Sequence, residues 1–316
     1  MPVMPPALHR IYWRLQNRLT RLRYLVLGRL AVWLLKIIRH TDPHRMADFT
    51  GAFMRKLGPW LREHRIGRAN LAASFPEKSP EEIETILSGV WDNLGRIGAE
   101  FAHLDRIWDY DPEHPEAGHI EFSQASVDRF HKLRDDGKPA LIFAAHLANW
   151  EMAALPGSLY GLPTALMYRT PNITAIADAI RDIRSINMGR LINTDSFGPL
   201  RAGEALTEGL HVGMLVDQFH HGGVPVMFFG RKTNANPLIA RLARLVDCPI
   251  HGTRVVRLPG RRFRAELTEE IPPRRDAKGE IDVQATMQAI TDVVEGWVRE
   301  HPEQWLWVHR RWRHWV

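Results

Sequence analysis

Cysteine is almost absent: Cys248 is the only one among 316 residues. That excludes an intrachain disulfide and any zinc site built on a cysteine cluster. Set in Val246-Asp247-Cys248-Pro249-Ile250, it reads as a buried packing thiol compatible with a reducing compartment. The HExxH, GxxxxGK(S/T) and GxGxxG patterns are missing too, which removes the zinc-protease, P-loop and dinucleotide-binding readings. His220-His221 is the only adjacent histidine pair and suits a solvated loop better than a metal site. Uncharged apolar runs are scarce. Leu22 to Ile38 has about the minimum length of a membrane span, yet Arg23, Arg29 and Lys36 interrupt it. Nothing at the N-terminus reads as a cleaved signal peptide. No internal repeat or linker divides the chain.

What is present is enough apolar content, 45%, for a sizeable core, so a disordered reading falls away. Charge is lopsided: residues 1–70 hold 14 Lys/Arg against three acids, net +11, while the remaining 246 residues sum to −5. A cationic end on a mildly acidic body fits an anionic surface met by that end. Drawn as a helix, Leu15, Leu19, Leu22, Val26, Leu30, Trp33 and Ile37 form one apolar stripe. Arg14, Arg18, Arg21, Arg29, Lys36 and Arg39 fall within about 80° of one another on the other side. The pattern predicts a helix lying in a membrane interface, arginines toward lipid phosphates. A helix packed on the domain and a true span with snorkelling arginines are the alternatives. Residues 1–42 are therefore set apart as a membrane-associated amphipathic segment, and 43–316 as a single domain.

Residues 43–104 read as helical, with one segment over Asp48 to Leu61. Ser79-Pro80-Glu81-Glu82 opens another with a capping box, continuing through Ile83, Ile86, Leu87, Val90, Leu94 and Ile97. Beyond the loop 109–118 the pattern alternates. Strands are expected at Ala140 to Ala145, Pro163 to Tyr168, Leu191 to Asn193 and Val212 to Val216, with helices at Ser123 to Asp136, Ala148 to Tyr160, Ile173 to Ile186 and Leu200 to Glu208. Helix Pro237 to Val246, an antiparallel pair Ile250 to Arg257 and Arg262 to Leu267, and helix Val283 to Glu300 follow. The fold class is α/β: a largely parallel, mixed sheet flanked by helices, behind a helical N-terminal region.

The chemistry is expected at the mouth of the first apolar strand, since open α/β sheets bind ligands beyond their strand C-termini. His146 stands there, five residues before Glu151. On one regular helix the two would lie about 140° apart, so they pair only if His146 precedes the helix and Glu151 sits in its first turn. A carboxylate on one ring nitrogen would leave the other free to accept a proton. A turn histidine capping a helix is the plainer alternative. Tyr168-Arg169 and Asp217-Gln218 end two further strands and converge on the same edge. Arg169 suits planar recognition of phosphate or carboxylate, or else a surface salt bridge, and Asp217 is a candidate second carboxylate. The run Val224 to Phe229, followed by Gly230, Arg231 and Lys232, suits an acyl chain beside a phosphate, or an ordinary buried strand. Trp297, Trp305, Trp307, Trp312 and Trp315 accompany His309, Arg310, Arg311 and Arg313. That mixture favours a membrane interface or stacking on single-stranded nucleic acid.

Together these fragments resemble the lipid A biosynthesis (late, or secondary) acyltransferase family: Asn70-Leu-Ala-Ala-Ser-Phe-Pro-Glu77, His146-Leu-Ala-Asn-Trp-Glu151 as its HX4(D/E) signature, Tyr168-Arg169, Asp217-Gln218, Phe228-Phe-Gly230 and Trp307-Val-His-Arg-Arg311. The resemblance implies transfer of a fatty acyl group from a thioester, acyl carrier protein or coenzyme A, to a hydroxyl of a lipid A precursor at the cytoplasmic face of a bacterial inner membrane. It implies no metal, no cofactor, no covalent acyl-enzyme and no nucleic-acid partner. His146 held by Glu151 would be the base. Arg169 would grip a phosphate or fix the dyad, and Asp217 would orient His146 or Arg169. Asn149, Gln218, Gly230, Arg231, Arg310 and Arg311 are the expected substrate-binding residues. A glycerolipid or lysophospholipid acyltransferase, or a non-enzymatic basic protein binding membranes or nucleic acid, are the rival readings. Two departures stand out: Ala148 replaces a frequent glycine and would narrow the room beside His146, and the N-terminal segment is broken by Arg29 and Lys36.

Overall fold

The computed structural model describes residues 6–171 and 173–313. Asn172 and Trp315 lie outside the described residues, as do the side chains of Arg14 and Leu15. The chain begins with five helices: α1 (Pro6–Arg39), α2 (Pro43–Leu57), α3 (Arg62–Ser74), α4 (Pro80–Glu100) and the short α5 (Leu104–Ile107). Then come β1 (Ile120–Phe122), α6 (Gln124–Asp135), β2 (Leu141–Ala144), α7 (Leu155–Leu159), β3 (Thr164–Tyr168), α8 (Thr174–Asn187), β4 (Arg190–Asn193), α9 (Gly198–Thr207) and β5 (His211–Leu215). The hairpin β6 (Val224–Phe228) and β7 (Arg231–Ala235) leads into α10 (Leu238–Val246), β8 (Ile250–Arg257), β9 (Phe263–Glu270) and α11 (Val283–Glu300).

Seven strands form one sheet in the order β1-β9-β8-β2-β5-β3-β4. The run from β8 to β4 is parallel, β9 is antiparallel to β8, and β1 is parallel to β9. The expected mixed, largely parallel sheet is thus observed. Its centre is β2, which is why Ala140 to Ala145 lacks polar residues: both faces are covered. Leu141 and Phe143 enter the main core, which includes Ile239, Leu242, Ile290 and Val294. Ile142 turns the other way, toward Phe130 and Leu133 of α6. The capping box of α4 is present, with the Glu82 N–H donating to Ser79 Oγ and the Ser79 N–H to Glu82 Oε2.

Three local readings change. The strand β1 was not expected, having only three residues. The second strand of the β6–β7 hairpin was missed because Arg231-Lys232-Thr233-Asn234-Ala235 shows no apolar alternation; it turns back through Phe229 and Gly230, both with positive φ (52° and 65°). The helix expected over Ala148 to Tyr160 is instead a loop, a 3-10 turn Met152–Ala154 and the short α7. Pro156, lacking an N–H, starts α7 afresh instead of continuing one helix from Ala148.

The helix α1 stands out from the domain. Leu19, Leu22, Val26, Leu30, Trp33 and Ile37 are all exposed, Leu22 at 58% and Trp33 at 57%, so the apolar stripe is not spent on the core. The contact with the domain runs through Gly28, where a Cβ would come within 2.9 Å of Ile173 Cγ2 and 3.2 Å of Ala175 Cβ. Arg39 anchors the C-terminal end with a two-pronged bond to Asp105 (2.9 and 2.8 Å). Among the described residues, no helix is long and apolar enough to cross a membrane.

The C-terminal tryptophans are not a surface platform. Trp297, Trp305, Trp307 and Trp312 are buried, the last three against Phe228 and Phe229. Stacking them on nucleic acid or seating them in a membrane interface would require opening the core. Cys248 is buried as expected, and burial pushes its thiol up to about 11.

Candidate active site

The sheet register assembles the site. Ala144 of β2 pairs with Leu215 of β5, so the residues two places beyond each strand, His146 and Asp217, emerge side by side. His146 Nδ1 lies 2.8 Å from Asp217 Oδ1, and the His146 backbone N–H donates to Oδ2 at 2.9 Å. Trp305 adds an indole N–H to Oδ2 at 2.8 Å. Complete burial pushes the Asp217 carboxyl up, but the His146 charge and these donors outweigh it and hold the group down to about 2. An ionised Asp217 fixes the His146 proton on Nδ1 and leaves Nε2 as an acceptor. Nε2 accepts from the Gln218 side-chain amide at 3.2 Å. Trp150 packs edge-on against the imidazole at 4.9 Å between ring centres.

Glu151 is not the partner of His146. Its carboxylate is gripped by Arg184 from α8, Nε to Oε2 at 2.9 Å and Nη2 to Oε1 at 2.5 Å, and it accepts from the Trp150 indole at 3.1 Å. The loop explains the difference. Ala148 adopts a positive φ of 44°, and Asn149 turns inward, donating to Glu100 Oε2 and accepting from the Glu151 N–H. Glu151 therefore leaves the loop toward α8. The φ of Ala148 lies in the left-handed region that favours glycine, so an alanine there carries backbone strain. The Ala148 N–H donates to Gln304 O at 2.9 Å, and the Leu306 N–H donates to His146 O at 3.2 Å, so the segment after α11, residues 304–313, acts as a C-terminal strap that holds the loop.

A cavity of about 720 Å³ opens beneath His146 along one face of the sheet. Alternate residues make its floor, Ile142 and Ala144 from β2, Thr164 and Leu166 from β3, Gly213 and Leu215 from β5, and Phe130 and Leu133 of α6 roof it. His146, Glu151, Arg169, Arg184 and Gln218 line the cavity, and Arg169 is exposed.

The other expected substrate residues are placed elsewhere. Asn149 is fully buried and bound to Glu100, a positioning role. Gly230 supplies the positive φ of the hairpin turn. The Arg231 guanidinium lies 4.2 Å over the Trp312 ring, and Arg310 is exposed outside the cavity wall. Arg311 is 1% exposed and sits in the core. The apolar run Val224 to Phe229 forms β6 and the first residue of the hairpin turn, and it does not line the cavity. Residues that sequence reasoning missed are Arg184, Trp305 as a donor to Asp217, and Glu100. Nothing in spacing ties Arg184 to a glutamate 33 residues earlier. Among the described residues no group of His, Cys, Asp and Glu could hold a metal ion.

No curated protein matches the chain. The model of the bacterial lipid A biosynthesis acyltransferase family matches residues 15–314, nearly the whole length. That span takes in every fragment on which the resemblance rested, and both residues of the His146–Asp217 pair. The chain belongs to the bacterial lipid A biosynthesis acyltransferase family and is an acyltransferase of lipid A biosynthesis.

Proposed function

We propose that the enzyme transfers a fatty acyl group from acyl carrier protein thioester to a hydroxyl of a lipid A precursor, with His146 as general base oriented by Asp217. The observation that carries this reading is the position of His146 Nε2, at the mouth of an apolar cavity whose size falls within the ~300–1,000 Å³ of ligand pockets. The donor's acyl chain lies along the sheet face, bringing its thioester carbonyl to Nε2. The acceptor hydroxyl displaces the Gln218 amide and gives its proton to Nε2 as its oxygen attacks. A C–O bond forms, the C–S bond breaks, and the proton passes from His146 to the departing thiolate. Arg169, exposed on the rim, suits an acceptor phosphate. Glu151 and Arg184 hold the rim together.

Mass spectrometry of lipid A from cells with and without the gene tests the reaction. The expected result is a difference of one acyl group that His146→Ala abolishes while the protein remains folded. Normal product from folded His146→Ala protein would refute the assignment.

The same reading places the enzyme at the cytoplasmic face of the inner membrane, with α1 lying in the interface. Its support is the exposed stripe from Leu19 to Ile37 together with the basic residues of residues 1–70. An alkaline carbonate wash of membranes is expected to release the protein. Retention in the pellet would count against an interfacial helix.

A further inference from the structure

Arg311 is among the largest fully buried side chains, and it has no carboxylate partner within ion-pair distance among the described residues. Nη1 donates to Thr233 Oγ1 at 3.2 Å and to Asn234 O at 2.7 Å, and the guanidinium lies 5.4 Å over Phe228. Nε is buried with no hydrogen-bond partner. Packing alone does not call for a cation here, because a desolvated charge without a partner is costly. A second cavity, of about 10 Å³, lies beside it, lined by Val216, Asp217, Phe228, Thr291, Val294 and Arg311. That is room for about one water molecule. Asp217, whose carboxylate orients His146, and Arg311 thus line one water-sized space.

We propose that Arg311 is a positioning residue for the reaction: joined to Asp217 through a water in this cavity, its fixed positive charge keeps Asp217 ionised and lowers the proton affinity of His146. Burial outweighs the upward pull of Asp217 and brings the guanidinium down to about 10, so Arg311 carries its charge at neutral pH. The inference rests on His146 being the base. The titratable groups on the surrounding elements are His309, whose ring burial pushes down, and Arg313 on the strap, Arg231 on β7, Glu295 on α11, and Glu151 with Arg184 at the rim. All of them are kept in the variants below and so cancel in the comparison.

The full chain labelled with ¹³C-histidine, in detergent micelles, tests this by the titration midpoint of His146, its resonance assigned by loss in His146→Gln. Arg311→Met removes the charge and is expected to raise the midpoint by about 0.5 unit or more, roughly a threefold gain in proton affinity. Arg311→Lys keeps the charge and is expected to leave the midpoint in place. An unmoved midpoint in Arg311→Met, or equal shifts in both variants, would overturn the proposal, since a structural role moves the folded fraction and not the titration. Should Arg311→Met fail to fold, pairing it with Asp217→Asn decides. Recovery of folding in the double variant supports charge pairing, and continued failure assigns Arg311 to packing alone. Acyl transfer retained by His146→Gln would sink the base assignment without touching this titration, so the two failures are distinguishable.

Discussion

Asp217→Asn is expected to lower kcat by about 10⁴-fold with the fold retained, although this side chain lies outside the HX4(D/E) signature. An amide that donates to Nδ1 drives the His146 proton to Nε2, the atom that must accept one from the acceptor hydroxyl, and a wrong tautomer in an Asp–His pair costs about 10⁴ in kcat. Glu151 should behave differently. Its carboxylate serves Arg184, so Glu151→Gln and Arg184→Met are expected to be strongly non-additive with each other and additive with Asp217→Asn. Steady-state rates on the double variants check this. Coupling of Glu151 to His146 stronger than its coupling to Arg184 would restore the signature acid as the direct partner. Acid stability gives a second reading of the same carboxylate. Its folded value, about 2, lies below the ordinary 3.8. The stability it contributes is therefore fully present above about 4 and lost as pH falls toward 2. Urea midpoints of the wild type should fall across that window more steeply than those of Asp217→Asn.

Arg257→Met is expected to cost about 3–5 kcal/mol of stability, the largest loss from any single change proposed for this protein. Arg257, at the end of β8, holds Glu100 through two bonds of 2.6 and 2.9 Å, and Glu100 is 1% exposed. Removing the cation strands a buried carboxylate with the Asn149 amide as its remaining partner. Adding Glu100→Gln should recover most of the loss, because an uncharged amide needs no counter-charge. Urea unfolding of the single and double variants checks the pair, and a double variant no more stable than Arg257→Met would show that packing, not charge, is responsible. Because Asn149 belongs to the loop carrying His146, the same substitution should loosen the site before it unfolds the domain.

The sheet was legible because its signals are local. Apolar strands such as Ala140 to Ala145 and Ile250 to Arg257 alternate with periodic helices, and Ser79 and Glu82 announce a helix start unaided. Much of the site edge was legible for the same reason: His146, Arg169 and Asp217 each follow an apolar strand. What the sequence could not resolve were choices between neighbours across the fold. Whether His146 takes Glu151 or Asp217 is settled by the β2–β5 register and by the left-handed turn at Ala148, and neither leaves a mark in spacing. The placement of two arginines was hidden for a related reason. Arg311 and Arg231 look like surface cations in a list of residues, but the hairpin β6–β7 and the C-terminal strap enclose the first and stack the second on Trp312. The stripe of α1 needed only periodicity, so its exposed apolar side followed directly.

The strap also sets a schedule. His146 and Asp217 leave the ribosome long before Trp305, whose indole completes the carboxylate's shell, and Gln304 and Leu306, whose backbone bonds brace the histidine loop. Chains emerge at about 5–20 residues per second, N-terminal parts first. The pair is thus made well before its brace, and the geometry around His146 is complete only once residues 304–306 have emerged and folded back onto the loop.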